Sequence, residues 1–365
     1  MTTDRLAQSR AAAADTGVDA VLVTPGPDLR YLTGYDAHPS ERLTCLVLPS
    51  RGEPTLVVPV LERPVAEASG AESYGIDIVA WPETRDPVEL VAGLLPEVGR
   101  VAVDDHMWAE KVLQFRSALP HAEQVSAGPV LRELRMRKSP DEVAALHEAG
   151  AAIDRVHARV GEWLRVGRTE REVGRDIADA ILTEGHVRVD FVIVASGPNG
   201  ASPHHQTGDR VIQAGDPVVV DIGGAVGSGY CSDETRTYAM GEPDVEHATA
   251  YEALRRAQAA AVEHARPGVT AESVDAAARE VLTDAGLGEY FVHRTGHGIG
   301  LETHEEPYIV AGNTQLLGPG MAFSVEPGFY IPGRYGARIE DIVVVTDDGV
   351  EPLNLRPREL AVIDA

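Results

Sequence analysis

Four carboxylates and one imidazole stand in order along the second half of the chain, each inside a short distinctive phrase. They are Asp221 in VVVDIGG, Asp233 in YCSDETRT, His297 in HRTGHGIG, Glu326 in SVEPGFY and Glu340 in ARIED. Carboxylates can chelate or bridge divalent cations, and a neutral imidazole adds a nitrogen ligand. The set therefore indicates a site for two divalent cations, which would share and activate a water molecule.

Taken singly, these residues also have ordinary structural explanations. An aspartate after an apolar strand, such as Asp221, is usually a turn residue or a helix cap. Glu340 follows Arg338 by two residues, so both lie on one face of a strand and can form an ion pair. The ion pair and a ligand role are compatible, because a neighbouring arginine can orient a ligand carboxylate.

Histidines are concentrated in the same segments. His293 and His297 are four residues apart, but their stretch is rich in glycine and lacks the glutamate of the HExxH zinc-protease motif. The glycines predict backbone that passes close to a site, with one histidine as ligand and the other as a donor to substrate. His304 in ETHEEP and the pair His204 and His205 in SPHHQTGDR lie in predicted loops and extend this cluster.

The elements that must position these residues fall into two groups. Up to about residue 128, short strand and helix patterns alternate, which predicts a small α/β domain. A basic connector is predicted over 126–138, and Ser139, Pro140 and Asp141 form the start of a long helix. Beyond it the sequence predicts an α+β domain with helices on one face of a mainly antiparallel sheet. The predicted helices are 140–160, 169–184, 244–265 and 270–284, and the predicted strands include 230–240, 322–331 and 335–345.

Composition excludes several classes of partner. The net charge is -25 at pH 7, and the chain has no run rich in Lys or Arg, so nucleic acid and anionic membranes are poor candidates. No apolar stretch approaches the roughly 20 residues that span a bilayer, and the first ten residues do not resemble a signal peptide. Cys45 and Cys231 form no CxxC pair and are expected to be buried thiols, not nucleophiles. A cytoplasmic protein is predicted.

The ordered ligand phrases together resemble the pita-bread metallopeptidases, the superfamily of methionine aminopeptidase, aminopeptidase P and prolidase. SGPNGASPHH, GHGIGLETHEEP and, in the first domain, LRYLTGY look like the Xaa-Pro branch. The resemblance implies an α+β architecture: a creatinase-like α/β domain over 1–128 and a pita-bread catalytic domain over 129–365. It covers nearly the whole chain.

The resemblance also implies roles for the ligands. Asp221 and Asp233 would bind one metal, Asp233, His297 and Glu340 the other, and Glu326 and Glu340 would help to join them. Mn²⁺ is expected because most ligand atoms are oxygen, and Co²⁺ or Zn²⁺ could also occupy the site.

Substrate-side residues are implied in the same way. His204, His293 and His304 would contact the substrate, Arg338 would orient a ligand, and Glu326 would carry a proton to the leaving nitrogen. The expected substrate is a peptide with proline at the second position, cleaved by an Xaa-Pro dipeptidase or an aminopeptidase P. A dipeptidase would need a cation for the free carboxylate, for which the candidates are Arg30, Arg42 and Arg334. Relatives in this branch imply a homodimer.

Two alternatives and one departure from the pattern remain. The alternatives are a creatinase-like enzyme that hydrolyses a small molecule on the same fold, and a binding protein that has lost catalysis. The departure is the interval of 12 residues between Asp221 and Asp233, which is one more than the commoner spacing. We expect the turn around Gly227 to Gly229 to absorb the extra residue, because glycine tolerates unusual backbone angles.

Overall fold

The first unit is built on a six-stranded mixed sheet. In the computed structural model, which describes residues 2–364, the chain divides into the units Met1–Arg135 and Met136–Ala365. The strands of the first sheet are β1 (Ala20–Val23), β2 (Cys45–Pro49), β3 (Thr55–Pro59), β4 (Asp77–Trp81), β5 (Arg100–Val103) and β6 (Glu123–Ser126), in the order β4-β3-β2-β1-β5-β6. The helices are α1 (Thr2–Asp15), α2 (Pro27–Thr33), α3 (Arg63–Ala68), α4 (Pro87–Gly93), α5 (Ala109–Ala118) and α6 (Gly128–Met136).

Most of the predicted connector is the helix α6. Val130 and Leu131 on this helix are buried, and Arg135 near its end forms an ion pair of 2.8 Å with Asp28 of α2. These contacts tie α6 to the first unit. The chain therefore divides into its compact units between residues 135 and 136, whereas the sequence predicts the domain boundary between 128 and 129.

Four long helices cover the sheets of the second unit. They are α7 (Pro140–Trp163), α8 (Glu170–Thr183), α9 (Val245–His264) and α10 (Ala271–Asp284). Capping explains where two of them begin: the Glu142 carboxylate accepts from the Ser139 N–H at 2.9 Å, and Thr169 and Glu172 cap each other's N–H groups at 3.2 and 2.8 Å.

The strands of the second unit form three separate sheets. They are β7 (His186–Ser196), β8 (Pro217–Val226), β9 (Cys231–Met240), β10 (Gly296–Gly298), β11 (Glu305–Ile309), β12 (Ala322–Val325), β13 (Gly328–Ile331), β14 (Tyr335–Arg338), β15 (Asp341–Val345), β16 (Val350–Pro352) and β17 (Ala361–Ile363). The sheet orders are β17-β9-β8-β7, β11-β10-β12-β15-β16 and the hairpin β13-β14. All pairings are antiparallel apart from β17 with β9, as expected for an α+β domain.

Three cores lie between the helices and these sheets, and the third joins Leu146 of α7 to Ile342 and Val344 of β15. The helices α7 and α8 pack on β7, β8 and β9 through residues such as Ile153, Ile177 and Val220. The helices α9 and α10 pack on β12 and β15 through residues such as Leu254 and Phe323. Among the described residues, no helix is long and apolar enough to cross a bilayer.

The structure corrects two of the predicted strands. The sequence predicts continuous strands over 322–331 and 335–345, but each is interrupted, at Glu326–Pro327 and at Ile339–Glu340. At these breaks the chain changes sheets: β12 pairs with β15, whereas β13 pairs with β14. Pro327 has no N–H to donate to a ladder, which is consistent with the first break. Both interruptions place a candidate ligand carboxylate outside regular strand pairing.

Candidate metal centre

The register of β8 and β9 places Asp221 and Asp233 on the same face of their sheet. Asp221 lies opposite Thr235, and Asp233 lies opposite Gly223, so the two aspartates are offset by two residues across the ladder. The β8–β9 pairing has no register shift. In the turn between these strands Gly229 has a φ of 90°, and its N–H donates to the Val226 carbonyl at 2.8 Å.

Glu326 and Glu340 approach the aspartates from the two strand breaks. The Glu340 N–H donates to the Thr235 carbonyl at 3.1 Å, and the Thr235 hydroxyl donates to Glu340 Oε2 at 2.7 Å. These two bonds hold the Glu340 side chain beside β9. The Ser324 hydroxyl donates to Glu326 Oε1 at 3.2 Å.

His297 faces the carboxylates with a free nitrogen lone pair. Its Nδ1 lies 3.0 Å from the Gly298 carbonyl oxygen, so this nitrogen carries the proton and donates it. Its Nε2 lies 3.6 Å from Asp233 Oδ2 and 3.3 Å from Glu326 Oε1. Burial, followed by the nearby His304, lowers the pKa of His297 well below its usual value, so the ring is neutral. A neutral ring held through its other nitrogen is the form that ligates metals.

The glycines beside His297 allow the close backbone approach that the sequence predicts. A Cβ at Gly296 would overlap the Ser324 carbonyl oxygen, and a Cβ at Gly298 would overlap the Glu306 carbonyl oxygen. Side chains at these positions would push β10 away from its neighbours. Glycine therefore brings His297 within reach of Glu326.

The candidate ligands form two overlapping groups. Donor atoms of Asp221, Asp233 and Glu340 lie within 4.8 Å of one another, as do those of His297, Glu326 and Glu340. Glu340 belongs to both groups. His304 forms a further group with Asp233 and His297.

The electrostatics of these residues fit divalent cations. Burial and repulsion among the carboxylates raise the pKa of Asp233 and of Glu340 well above the usual range. Burial raises the pKa of Glu326 to about 7, although Arg338 opposes the shift. Asp221 Oδ1 and Glu340 Oε1 are buried and have no hydrogen-bond partner among the described residues. Buried carboxylate oxygens without partners are costly unless a cation neutralises them.

One cavity of about 560 Å³ is lined by all five ligand candidates. The ligand candidates are joined there by His204, His293, His304 and Arg338, and the remaining wall includes Phe191, Ile193, Pro203 and Arg294. The histidine pair of SPHHQTGDR is divided, because His204 lines the cavity whereas His205 Nε2 contacts Glu170 at 2.8 Å. Each of the predicted carboxylate-binding cations forms an ion pair: Arg30 with Asp36, Arg42 with Glu83 and Arg334 with Glu246.

Tyr330 is a functional candidate that the sequence reasoning missed. Arg338 contacts Asp221 Oδ2, and its Nη1 also donates to the Tyr330 hydroxyl oxygen at 2.7 Å. His293 Nδ1 donates to the Arg294 carbonyl at 2.7 Å, so its Nε2 accepts the hydroxyl proton of Tyr330 at 2.9 Å. Burial raises the pKa of Tyr330 to about 12, which keeps the hydroxyl protonated. The available signal was that a buried tyrosine in EPGFY needs a hydrogen-bond partner.

Comparison with known proteins identifies the family. The sequence profile of metallopeptidase family M24 matches residues 144–347, which is more than half of the chain, and that of the Creatinase/Prolidase N-terminal domain matches residues 5–137. The chain belongs to metallopeptidase family M24. This match confirms the resemblance to the Xaa-Pro branch. It also confirms the predicted α+β fold, which is a creatinase-type domain followed by a pita-bread catalytic domain.

Similar M24 proteins match along nearly their whole length. The probable dipeptidase PepE of Mycobacterium tuberculosis is 57% identical over 360 residues, which cover 98% of this chain and 96% of that protein. The Xaa-Pro dipeptidase of Lactobacillus helveticus is 37% identical and covers 96% of each chain. The crystal structure of dipeptidase PepE from Mycobacterium ulcerans superposes with a TM-score of 0.95 at 56% identity, covering 100% of this chain and 98% of that one.

Proposed function

We propose that this M24 metallopeptidase is an Xaa-Pro dipeptidase that uses two divalent cations. The observation that carries the proposal is the single cavity that collects the five candidate ligands, three histidines and Arg338. The names of the relatives in Mycobacterium and Lactobacillus support dipeptide substrates and an Xaa-Pro bond.

The chain's own residues fit the two cations and would hold them. Asp221 and Asp233 would hold one cation and Asp233, His297 and Glu340 the other, with Glu326 and Glu340 helping to join them. Donor atoms of Asp221, Asp233 and Glu340, and those of His297, Glu326 and Glu340, lie within 4.8 Å of one another in each group. When bound, the cations would supply an activated water nucleophile and polarise the scissile carbonyl. Mn²⁺ is the proposed ion because the ligand set is rich in oxygen, and Co²⁺ or Zn²⁺ would also suit it.

Protein groups around the ligands would perform the proton transfer and the positioning. Glu326 lines the cavity beside the other ligand candidates, and its carboxylate would carry a proton to the leaving nitrogen of proline. His204 and His304 line the cavity and can donate to the carbonyl oxygen as negative charge develops on it. His293 is held in one orientation by Tyr330.

A dedicated site for proline is chemically reasonable. The bond before proline is a tertiary amide without an N–H, so a peptidase that binds that N–H cannot recognise it. Here Phe191, Ile193 and Pro203 provide an apolar wall beside the polar centre. Such a wall accommodates apolar parts of a substrate without leaving a donor unsatisfied.

The experiment that tests the proposal offers Ala-Pro and Ala-Pro-Ala-Ala together to the Mn²⁺-loaded protein and follows both by mass spectrometry. Loss of Ala-Pro alone is the expected result. Loss of the longer peptide would identify an aminopeptidase P instead. If metal binds and neither peptide is cleaved, the peptidase proposal fails in favour of a creatinase-like small-molecule hydrolase or a binding protein.

The assembly and the location of the protein are also proposals. We propose a homodimer, which light scattering after size-exclusion chromatography would show as about twice the chain mass, whereas a single species of 38.9 kDa would refute it. The two free, buried cysteines are consistent with a reducing compartment and so support a cytoplasmic protein. The net charge of -25 supports the absence of nucleic-acid and anionic membrane partners.

A further inference from the structure

A fully buried carboxylate outside the metal centre binds the segment that carries His204. Glu170, at the start of α8, has no exposed surface. Its Oε1 accepts from the Ser196 N–H, the Ser196 hydroxyl and the Asn199 amide at 2.8, 2.7 and 2.9 Å. Its Oε2 accepts from His205 Nε2 at 2.8 Å and from the Gly208 N–H at 3.3 Å. Both oxygens are therefore occupied by donors.

The Glu170 carboxylate is charged despite its burial. Burial raises the pKa of this carboxyl, but the hydrogen bonds from Ser196, Asn199 and His205 outweigh it, so the pKa lies below the usual value. A buried anion with this many donors binds them more strongly than a neutral acceptor would. Capping of α8 does not explain the contacts of Glu170, because Thr169 and Glu172 already cap this helix.

All the donors to Glu170 come from one short stretch of chain, residues 196–208, which we call the His204 loop. Within this loop Pro203 and His204 line the site cavity. His204 has a proposed role at the substrate. Ser196, Asn199 and His205, which belong to the same SGPNGASPHH phrase, have no role in the proposed metal centre or substrate contacts. Their common partner is Glu170.

We propose that Glu170 is a positioning residue that acts through the His204 loop to hold His204 over the substrate. The role of His204 in this proposal rests on the proposed function. The anchoring of the His204 loop by Glu170 does not depend on that function. His205 is the anchor and His204 the substrate-facing member of the pair. On the other side, Arg338 Nη1 approaches the Pro203 carbonyl at 3.4 Å, so the loop is held from two directions.

Replacing the charge should misplace His204 without removing it. In Glu170→Gln the side chain keeps its size, but the amide NH₂ faces N–H donors and the negative charge is lost. We expect kcat/KM for Ala-Pro to fall about tenfold to a hundredfold, because misplacement of a group by about 1 Å has effects of that size. Metal content should not change.

A double-mutant cycle separates positioning from a general structural role. Glu170→Gln is measured in the wild-type background and in His204→Ala, always in the Mn²⁺-loaded full chain. If Glu170 acts through His204, the substitution lowers kcat/KM in the first background and has little effect in the second. An equal loss in both backgrounds would overturn the proposal. If Glu170→Gln does not fold, His205→Leu, which removes one donor to Glu170, provides a second cycle with the same expectation. His205→Gln keeps an N–H donor and should therefore retain more activity than His205→Leu.

Hydrogen exchange of the His204 loop gives a readout that does not depend on activity. Exchange over 197–208 should accelerate in Glu170→Gln and not in His204→Ala. Glu172→Gln is the matched control, because Glu172 is exposed on the same helix and glutamine also serves in its capping box. If wild-type protein does not cleave Ala-Pro, the proposed function fails while the exchange result still decides the anchoring. Unchanged exchange in Glu170→Gln would overturn the anchoring even in an active enzyme.

Discussion

Thr235 is a residue on which two members of the metal centre depend. Its hydroxyl donates to Glu340 Oε2 at 2.7 Å, and its oxygen lies 3.1 Å from Arg338 Nε, which donates to it. Glu340 is the ligand candidate common to both cation groups, and Arg338 contacts Asp221. The Thr235 hydroxyl therefore orients the Glu340 carboxylate directly and the Asp221 carboxylate through Arg338.

Removal of this hydroxyl should weaken metal binding. Thr235→Val keeps the branched shape but leaves Glu340 Oε2 without its donor. We expect the affinity for Mn²⁺ to fall at least about tenfold, as when outer hydrogen bonds to ligands are lost. Isothermal titration of metal-stripped protein measures it, and Thr235→Ser, which keeps the hydroxyl, is the control. Equal affinities for wild type and Thr235→Val would contradict this role.

Loss of the Tyr330 hydroxyl should affect turnover more than metal content. Tyr330→Phe removes the proton donated to His293 Nε2 and the acceptor for Arg338. A hydrogen bond of this kind contributes about 1 kcal/mol, so kcat should fall roughly five- to tenfold with the metals retained. Tyr335→Phe alters another tyrosine of the same hairpin outside the site cavity and should leave kcat unchanged. A normal kcat in Tyr330→Phe would show that His293 does not need this bond.

The sequence predicted the residues that reach the cavity better than those that support them. Aspartates, glutamates and histidines in fixed phrases suggest metal chemistry from their types alone. Thr235, Tyr330 and Glu170 are common residue types whose roles depend on distant partners: Glu340 lies 105 residues from Thr235, and His293 lies 37 residues from Tyr330. Only the fold brings such pairs together. The individual roles of the cavity residues stay predictions.

At the scale of elements, a buried ion pair fixes the segment that follows His304. Lys138 Nζ lies 2.7 Å from Glu305 Oε1, with side chains only 1% and 8% exposed. The Lys138 N–H donates to the Gly320 carbonyl just before β12, and Glu305 opens β11. The ion pair and this backbone hydrogen bond thus connect the start of the second unit to β11 and to the residues just before β12.

Breaking this pair should be costly. Lys138→Met leaves the Glu305 carboxylate buried without its ammonium partner, which typically costs about 3–5 kcal/mol of unfolding free energy. Arg334→Gln is the control, since the Arg334–Glu246 pair is 49% and 59% exposed and should contribute less than about 1 kcal/mol. Urea unfolding of the metal-loaded proteins compares them. Equal losses of stability in the two variants would contradict this account.

The packing of α9 against the β13–β14 hairpin should make stability sensitive to acid. His247 is 2% exposed and lies among Tyr251, Phe329 and Tyr335, and burial lowers its pKa to about 4, against an opposing effect of Asp244. The unfolded chain takes up a proton near pH 6.5, whereas the folded chain resists until about pH 4. Stability is therefore lost as the pH falls through this window.

The size of this effect can be measured by substitution. Between pH 7.5 and pH 5 the His247 contribution amounts to roughly 2 kcal/mol. In His247→Phe, which does not titrate, the loss of unfolding free energy over that interval should be smaller by about this amount. Parallel pH profiles for the two proteins would show that His247 is not responsible.

Elements of ordinary length were predictable and short ones were not. The helices α7 to α10 begin and end within a few residues of the predicted ranges, because caps and amphipathic periodicity extend over several turns. The strands β10, β16 and β17 have three residues each, too few for a periodic pattern. The breaks before β13 and β15 were missed because a strand-like sequence does not reveal a change of pairing partner, although Pro327 was an available signal at the first break.

At the scale of the whole molecule, the second unit concentrates negative charge in its interior. Asp233, Glu326 and Glu340 line one cavity in a protein whose net charge is -25. Repulsion among them opposes folding unless protons or cations neutralise it. Divalent cations would therefore stabilise the folded protein and create the catalytic centre by the same interactions.

Metal titration with two matched dipeptides tests the central claim most directly. Metal-stripped protein receives Mn²⁺ in steps while hydrolysis of Ala-Pro and Ala-Ala is followed, with Asp233→Asn as the ligand control. We predict no hydrolysis without metal, a rise for Ala-Pro alone that saturates near two Mn²⁺ per chain, and no comparable rise in Asp233→Asn. Hydrolysis of Ala-Pro by the metal-free protein, or by Asp233→Asn at the wild-type rate, would contradict the account.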